Sequence, residues 1–199
     1  MNGEEKIRRV SLPDGMPLIR CASENDAPAL LAVYAPYVRN TASTFEYVPP
    51  TEEEFAARIR KVKEAGYPYL VCEIGGKPVG YAYASRFRER KAYDPSVEVS
   101  VYVDPDFHGL GIGKALYREL FDRLPALGVT NVYACVTCPH ETPDPYLTDA
   151  SPRFHEALGF RKCGYFTACA VKFGRKYDMG MWEKCPEEEK RAGTSEIVS

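Results

Sequence analysis

The sequence predicts an α/β protein built on one mixed sheet with helices on both faces. Three observations predict it. Segments with the two-residue period of a strand alternate along the chain with segments of helical period. A strand pattern, "VEVSVYV" at 97–103, runs straight into a glycine-rich turn and then an apolar helical pattern. Gly75-Gly76 between two apolar runs is a hairpin signal, which puts antiparallel pairing into the sheet.

Each element follows from local chemistry. "PLIRCA" (17–22) reads as a first strand, with Ser23 as N-cap of a helix through Leu30, Leu31 and Tyr34 that Pro36 disturbs. A polar and aromatic connection, "RNTASTFEYVPP", follows. Thr51 and Glu54 form a capping box for a second helix with Phe55, Ile59 and Val62 on one face. "YPYLVCEIGGKPVGYAYASRF" reads as the two strands of the hairpin, and "VEVSVYV" as the next strand. A helix through Leu116, Leu120 and Leu124 comes after the glycine loop, then "TNVYACVT" as a strand. Beyond a Pro-rich loop at 139–150, Ser151 caps a short helix starting at Pro152 and closed by Gly159, and two strands flank "KFGRK". The expected order is strand, two helices, three strands, helix, strand, helix, two strands.

Composition narrows the function. A chain of 199 residues, 45% of them hydrophobic, suits one domain over 1–185, followed by a charged tail at 186–199 poor in large apolar residues and expected to be disordered. The net charge of -2 gives no support for a nucleic-acid or anionic-membrane binder, so the expected partners are small molecules. No apolar run approaches the roughly 20 residues of a membrane span. "MNGEEKIRRV" lacks the apolar core of a secretory signal, and the seven cysteines fit reduced thiols, so a cytoplasmic protein is expected. "CVTCPH" (135–140) invites a metal reading, but Cys135 and Cys138 face opposite sides of a continuing strand and no second pair completes a site; no metal is expected.

The loop "DFHGLGIGKALY" (106–117) presents unpaired backbone amides at the positive end of a helix, a ready seat for a phosphate or pyrophosphate. A P-loop would require glycine at His108 and a hydroxyl at Ala115, and a dinucleotide fingerprint starting at Gly109 would require glycine at Lys114. What remains is His108-x-x-Gly111-x-Gly113.

That pattern resembles the phosphate-binding signature of the GNAT superfamily of N-acetyltransferases, with His108 in place of the usual Gln or Arg. "KAYDPSVEVSVYV", "RFHEALGF" and "YDMGMW" resemble, in order, segments of its phosphinothricin and methionine sulfoximine N-acetyltransferase branch, over about Pro17 to Lys184. The resemblance implies the acyl-CoA N-acyltransferase fold, with a mixed, mostly antiparallel sheet, acetyl-CoA as co-substrate, a small amino acid or analogue as acceptor, and a homodimer. It places the cofactor on the loop His108, Gly109, Leu110, Gly111, Ile112, Gly113 and Lys114, on the main chain of Val101, Tyr102 and Val103, and near Ser151. The family asparagine often found near the last helix is replaced around Thr148.

The chemistry asks for a base, because an amino-acid ammonium must lose a proton before its nitrogen attacks a thioester. Strand alternation sends Val97, Val99, Val101 and Val103 to one face and Glu98, Ser100 and Tyr102 to the other, leaving Glu98 as a carboxylate within an apolar strand just before the loop. Burial of a carboxylate raises its affinity for protons toward the working range of a general base, and the matching glutamate of the branch is its proposed base. His155 stands where many superfamily members carry a tyrosine acid, as candidate proton donor or hydrogen-bonder. "SRFRERKAYD" crowds Arg86, Arg88, Arg90 and Lys91 before the strand, with Arg88 and Lys91 the candidate partners of a substrate anion. Phe45, Tyr47, Tyr93 and Tyr102 are candidate walls of the acceptor pocket. A peptide or polyamine acceptor, a non-catalytic acyl-CoA-binding module and a Gly-Lys-loop nucleotidase remain as alternatives.

Overall fold

A computed structural model describes residues 17–185. The expected tail at 186–199 lies outside the described residues. The element order matches the expectation: β1 (Leu18–Cys21), α1 (Ala27–Asn40), α2 (Glu52–Glu64), β2 (Tyr69–Ile74), β3 (Lys77–Arg86), β4 (Ser96–Val103), α3 (Ile112–Arg123), β5 (Asn131–Pro139), α4 (Ala150–Ala157), β6 (Arg161–Lys172) and β7 (Arg175–Lys184). The seven strands form one sheet in the order β1-β2-β3-β4-β5-β7-β6. Among the described residues only β4 and β5 are parallel, and every other neighbouring pair is antiparallel.

The alternation read in β4 decides which core each side chain joins. Val97 and Val99 are buried with Leu116, Leu120, Leu124, Val132 and Trp182, on the face covered by α3 and α4. Tyr102 packs toward Leu30, Val33, Val38, Phe55 and Ile59, on the face covered by α1 and α2. Each buried Leu or Ile in these layers contributes about 1.5–3 kcal/mol. The hairpin between β2 and β3 turns at Gly75 and Gly76 with φ 57° and 77°, both in the left-handed region that glycine tolerates.

The ends of helices show where local signals meet tertiary constraint. The capping box of α2 forms as read: Thr51 N–H donates to Glu54 Oε2 at 2.8 Å and Glu54 N–H to Thr51 Oγ1 at 3.2 Å. Ser23 instead opens a one-turn 3₁₀ helix, Glu24–Asp26, and α1 proper begins at Ala27. Pro36 does not end α1, which continues to Asn40. A proline removes one N–H from the ladder, and burial of Ala35 and Val38 on either side keeps the last turn in register. The N-cap of α4 is Asp149 rather than Ser151, which sits inside the first turn; Gly159, at φ 82°, follows the helix.

Candidate active site

The parallel pair opens a wedge in the sheet. β4 and β5 are joined only at Ser96–Glu98 against Asn131–Tyr133. Beyond that rung β4 stays paired with β3 as far as Val103, and β5 with β7 as far as Pro139, so the two strands diverge with main-chain edges facing each other. Val101, Tyr102 and Val103 lie along this opening. Such edges need hydrogen-bond partners, which water or the amides of an extended ligand can supply.

The glycine loop stands at the mouth of the wedge. Gly109 and Gly111 take φ of 77° and 78°, and Gly111 is the N-cap of α3. With glycine there, no side chain caps the helix, and its first turn carries no acidic residue. Leu110 packs against the core below. The first amides of α3, from Ile112 through Lys114, therefore sit at a helix start suited to an anion. Gly113 serves closeness rather than curvature: a Cβ there would lie 3.1 Å from the Phe154 ring, which brings the first turn of α3 against α4. His108, itself exposed, places Nε2 2.7 Å from the Tyr37 hydroxyl and 3.1 Å from the Val103 carbonyl. Tyr37 also donates to Val103 O at 2.5 Å, and burial raises its phenol to about 12. His108 thus fastens the loop to β4.

Glu98 occupies the last rung before the strands part, half-buried, on the same face as Ser100 and Tyr102. Across the wedge the Cys135 thiol lies close enough for the charge of the Glu98 carboxylate to act on it. Although the residue is exposed, partial desolvation of its sulfur, and then the charge of Glu98, push that thiol up to about 12. Arg88 lies close enough for its charge to reach Cys135, and its guanidinium stacks 4.5 Å over Phe87, which itself stacks on Tyr133 at 4.3 Å. Lys91 and Tyr93 form a short 3₁₀ turn beside Phe87, both exposed.

Next to Glu98, a cavity of about 470 Å³ lies between the sheet and α1 and α2. Its walls are phenolic: Tyr34, Tyr69, Tyr81, Tyr83 and Tyr102, with Phe55. Tyr69 and Tyr83 stack at 4.9 Å, Tyr81 and Tyr102 at 5.4 Å. The cavity adjoins β4 directly, since Ser85 pairs with Glu98 and Tyr83 with Ser100 across the ladder. Charge enters it from Arg58, bound to Glu46 at 2.7 Å, and from Arg86 and Glu89. Of the residues singled out in the sequence, Tyr102 lines this cavity. Phe45 packs instead on Tyr177, and the exposed Tyr47 donates its hydroxyl to Val171 O at 2.5 Å.

His155 is buried between α3 and α4, ringed by Phe154 and Phe160. Burial lowers its pKa below the ordinary 6.5, so the ring is neutral. The bonds assign its tautomer: Nδ1–H donates to Ser151 O at 2.8 Å, and Nε2, 3.3 Å from the Tyr117 oxygen, accepts from that hydroxyl. Tyr117 is fully buried, and burial raises its phenol pKa far above 10, with the nearby charges of Tyr83 and Glu98 adding to the effect.

Residues 19–182 match the acetyltransferase (GNAT) domain family. The chain belongs to the GNAT acetyltransferases. Its similarity to the phosphinothricin N-acetyltransferase of Alcaligenes faecalis is 39% identity over 176 residues, 85% of this chain and 86% of that one. The L-methionine sulfoximine/L-methionine sulfone acetyltransferase of Pseudomonas paraeruginosa is 32% identical, over 81% of this chain and 90% of its own. Among solved structures, a phosphinothricin acetyltransferase from Sinorhizobium meliloti in complex with acetyl-CoA superposes with a TM-score of 0.76 at 36% identity, covering 85% and 88% of the two chains.

Within this GNAT acetyltransferase, sequence reasoning passed over Arg58, Tyr83 and Tyr117. Arg58 reads as the solvated side of an amphipathic helix. Tyr117 lies in the apolar stripe of α3 between Leu116 and Leu120, where its hydroxyl is the signal: a buried phenol requires a polar partner, here His155. Cys135 and Cys138 do face apart, exposed and buried respectively.

Proposed function

We propose that the protein transfers the acetyl group of acetyl-CoA to the amine of a small amino acid or analogue of the phosphinothricin or methionine sulfoximine type. The observation that carries this reading is the position of Glu98: a carboxylate on the last shared rung of β4 and β5, between an uncapped helix start and the tyrosine-walled cavity. Bound acetyl-CoA would supply a thioester whose carbonyl carbon bonds the amine nitrogen as its carbon–sulfur bond breaks, and CoA leaves as the thiol with the proton the amine gives up. Its pyrophosphate is held by the amides from Gly109 to Lys114 and its pantetheine arm by the main chain of Val101–Val103, with Ser151 nearby. Glu98 takes the proton from the acceptor nitrogen, directly or through a water. The Tyr117 hydroxyl donates its one proton to the neutral His155, so this pair would protonate the departing thiolate only by turning that hydroxyl away from Nε2. Arg58, Arg86 and Arg88 are the fork-shaped partners for the acceptor's acid group, with Lys91 and Tyr93 as further candidates.

A homodimer belongs to the same proposal, with β1 and β6 as the edge strands of the sheet, and so does a cytoplasmic setting. A thiol-release assay with acetyl-CoA against phosphinothricin, methionine sulfoximine, its sulfone, free amino acids, polyamines and a short peptide tests activity and acceptor together. Turnover of the first group supports the reading. Turnover confined to polyamines or the peptide replaces the acceptor, and tight acetyl-CoA binding without acetylation of any amine removes the catalytic reading.

A further inference from the structure

Lys172 is buried to 1% exposure, and nothing in the chemistry above uses it. Its ammonium donates to two main-chain carbonyls, Thr41 O at 2.8 Å and Thr44 O at 2.7 Å, in the connection between α1 and α2. Burying a long cation against carbonyls rather than a carboxylate is costly, so the arrangement implies a geometric task. The same connection is held at three further points: Tyr47 bonds Val171 O, Phe45 packs on Tyr177, and Ala42 N–H donates to Tyr146 O at 3.0 Å. From the far side of these contacts it shapes the cavity. Thr44 Oγ1 lies 2.7 Å from the hydroxyl of Tyr34, a wall residue, and Glu46 is paired with Arg58 at the cavity.

We propose that Lys172 is a positioning residue for the acceptor site: it clamps the connection at 41–47 onto the β6–β7 hairpin, and so sets where Tyr34, Glu46 and Arg58 stand. The proposal rests on the reading of that cavity as the acceptor pocket. It separates the two substrates, because the clamp touches neither the glycine loop nor the wedge.

The test is Lys172→Met, which keeps the length and apolar volume of the side chain and removes the donors. Two readouts are taken: the KM values for phosphinothricin or methionine sulfoximine and for acetyl-CoA, and amide hydrogen exchange over residues 41–50. The expected result is an acceptor KM raised by about tenfold with acetyl-CoA KM within about twofold, together with faster exchange in the connection. Lys172→Arg, which restores the donors, is expected to recover most of the acceptor KM. Unchanged exchange with unchanged acceptor KM overturns the proposal, as do equal losses for both substrates, the signature of a merely structural lysine. If the wild-type protein acetylates neither compound, the acceptor reading fails on its own, and the exchange measurement still decides the clamp. Should Lys172→Met not fold, Tyr47→Phe removes only the exposed tether; a rise of about threefold in acceptor KM with acetyl-CoA unaffected supports the clamp, and no rise overturns it.

Discussion

His155 Nε2 lies 3.3 Å from the phenolic oxygen of Tyr117, with both side chains buried between α3 and α4. Burial keeps the imidazole neutral and the phenol protonated, so the pair is an uncharged O–H···N unit. Because the folded pKa of His155 lies below its unfolded value of 6.5, the unfolded chain binds the proton first. Its neutral form thus stabilises the fold above that pH, and the contribution falls away as pH drops through 6.5 toward the folded value. Histidine NMR titration is expected to show the His155 ring titrating below 6.5; a ring that titrates above it contradicts the assignment. Tyr117→Phe leaves Nε2 buried without its donor and is expected to cost about 1–3 kcal/mol of stability, read as a lower urea midpoint.

Cys135 carries a test of its neighbour. With partial desolvation of the sulfur and then the charge of Glu98 holding the thiol near a pKa of about 12, little thiolate exists at pH 8 although the residue is exposed. Iodoacetamide labelling followed by mass spectrometry is expected to find Cys135 slow to react. Glu98→Gln removes one of the two causes and should speed that labelling; no change would place the two groups apart.

Two glycines of the loop should fail differently. At Gly111 a Cβ meets no atom within 4 Å, so Gly111→Ala carries only backbone strain at φ 78°, about 1 kcal/mol, seen as a lower urea midpoint and a raised acetyl-CoA KM. At Gly113 the new methyl would press on Phe154 at 3.1 Å. Gly113→Ala is therefore expected to shift α4 as well, and to lower kcat besides.

Acid should loosen the first strand. Asp26 is held at about 2 instead of 3.8, chiefly by hydrogen bonds from Arg20, which also bridges to Glu73 at 2.5 Å. A lowered folded pKa means stability present above about pH 4 and lost as pH falls toward 2. The loss is at most about 2 kcal/mol, given the partial exposure of Arg20. Urea midpoints of wild type and Asp26→Asn should converge across that window.

Much of this was legible because it is written in short-range chemistry. The faces of β4, the Thr51–Glu54 box, the Gly75-Gly76 turn and the glycine loop each depend on residues within a few positions. The acceptor cavity was not: its walls come from α1, α2, β2, β3 and β4, and tyrosines spread over such a range read as ordinary core. Lys172, in a hairpin "KFGRK", reads as a solvated turn lysine; its carbonyl partners are 131 and 128 residues away. Pro36 and Ser151 misled because tertiary packing and the residue two places earlier, Asp149, outweighed a local preference.

The most direct measurement of the central claim is Glu98→Gln, assayed for acetyl-CoA affinity by calorimetry and for acetylation of phosphinothricin or methionine sulfoximine by thiol release. Affinity within about twofold of wild type with turnover reduced about 100-fold or more is predicted. Undiminished turnover would show that the proton leaves the amine by another route and that the wedge carboxylate is not the base.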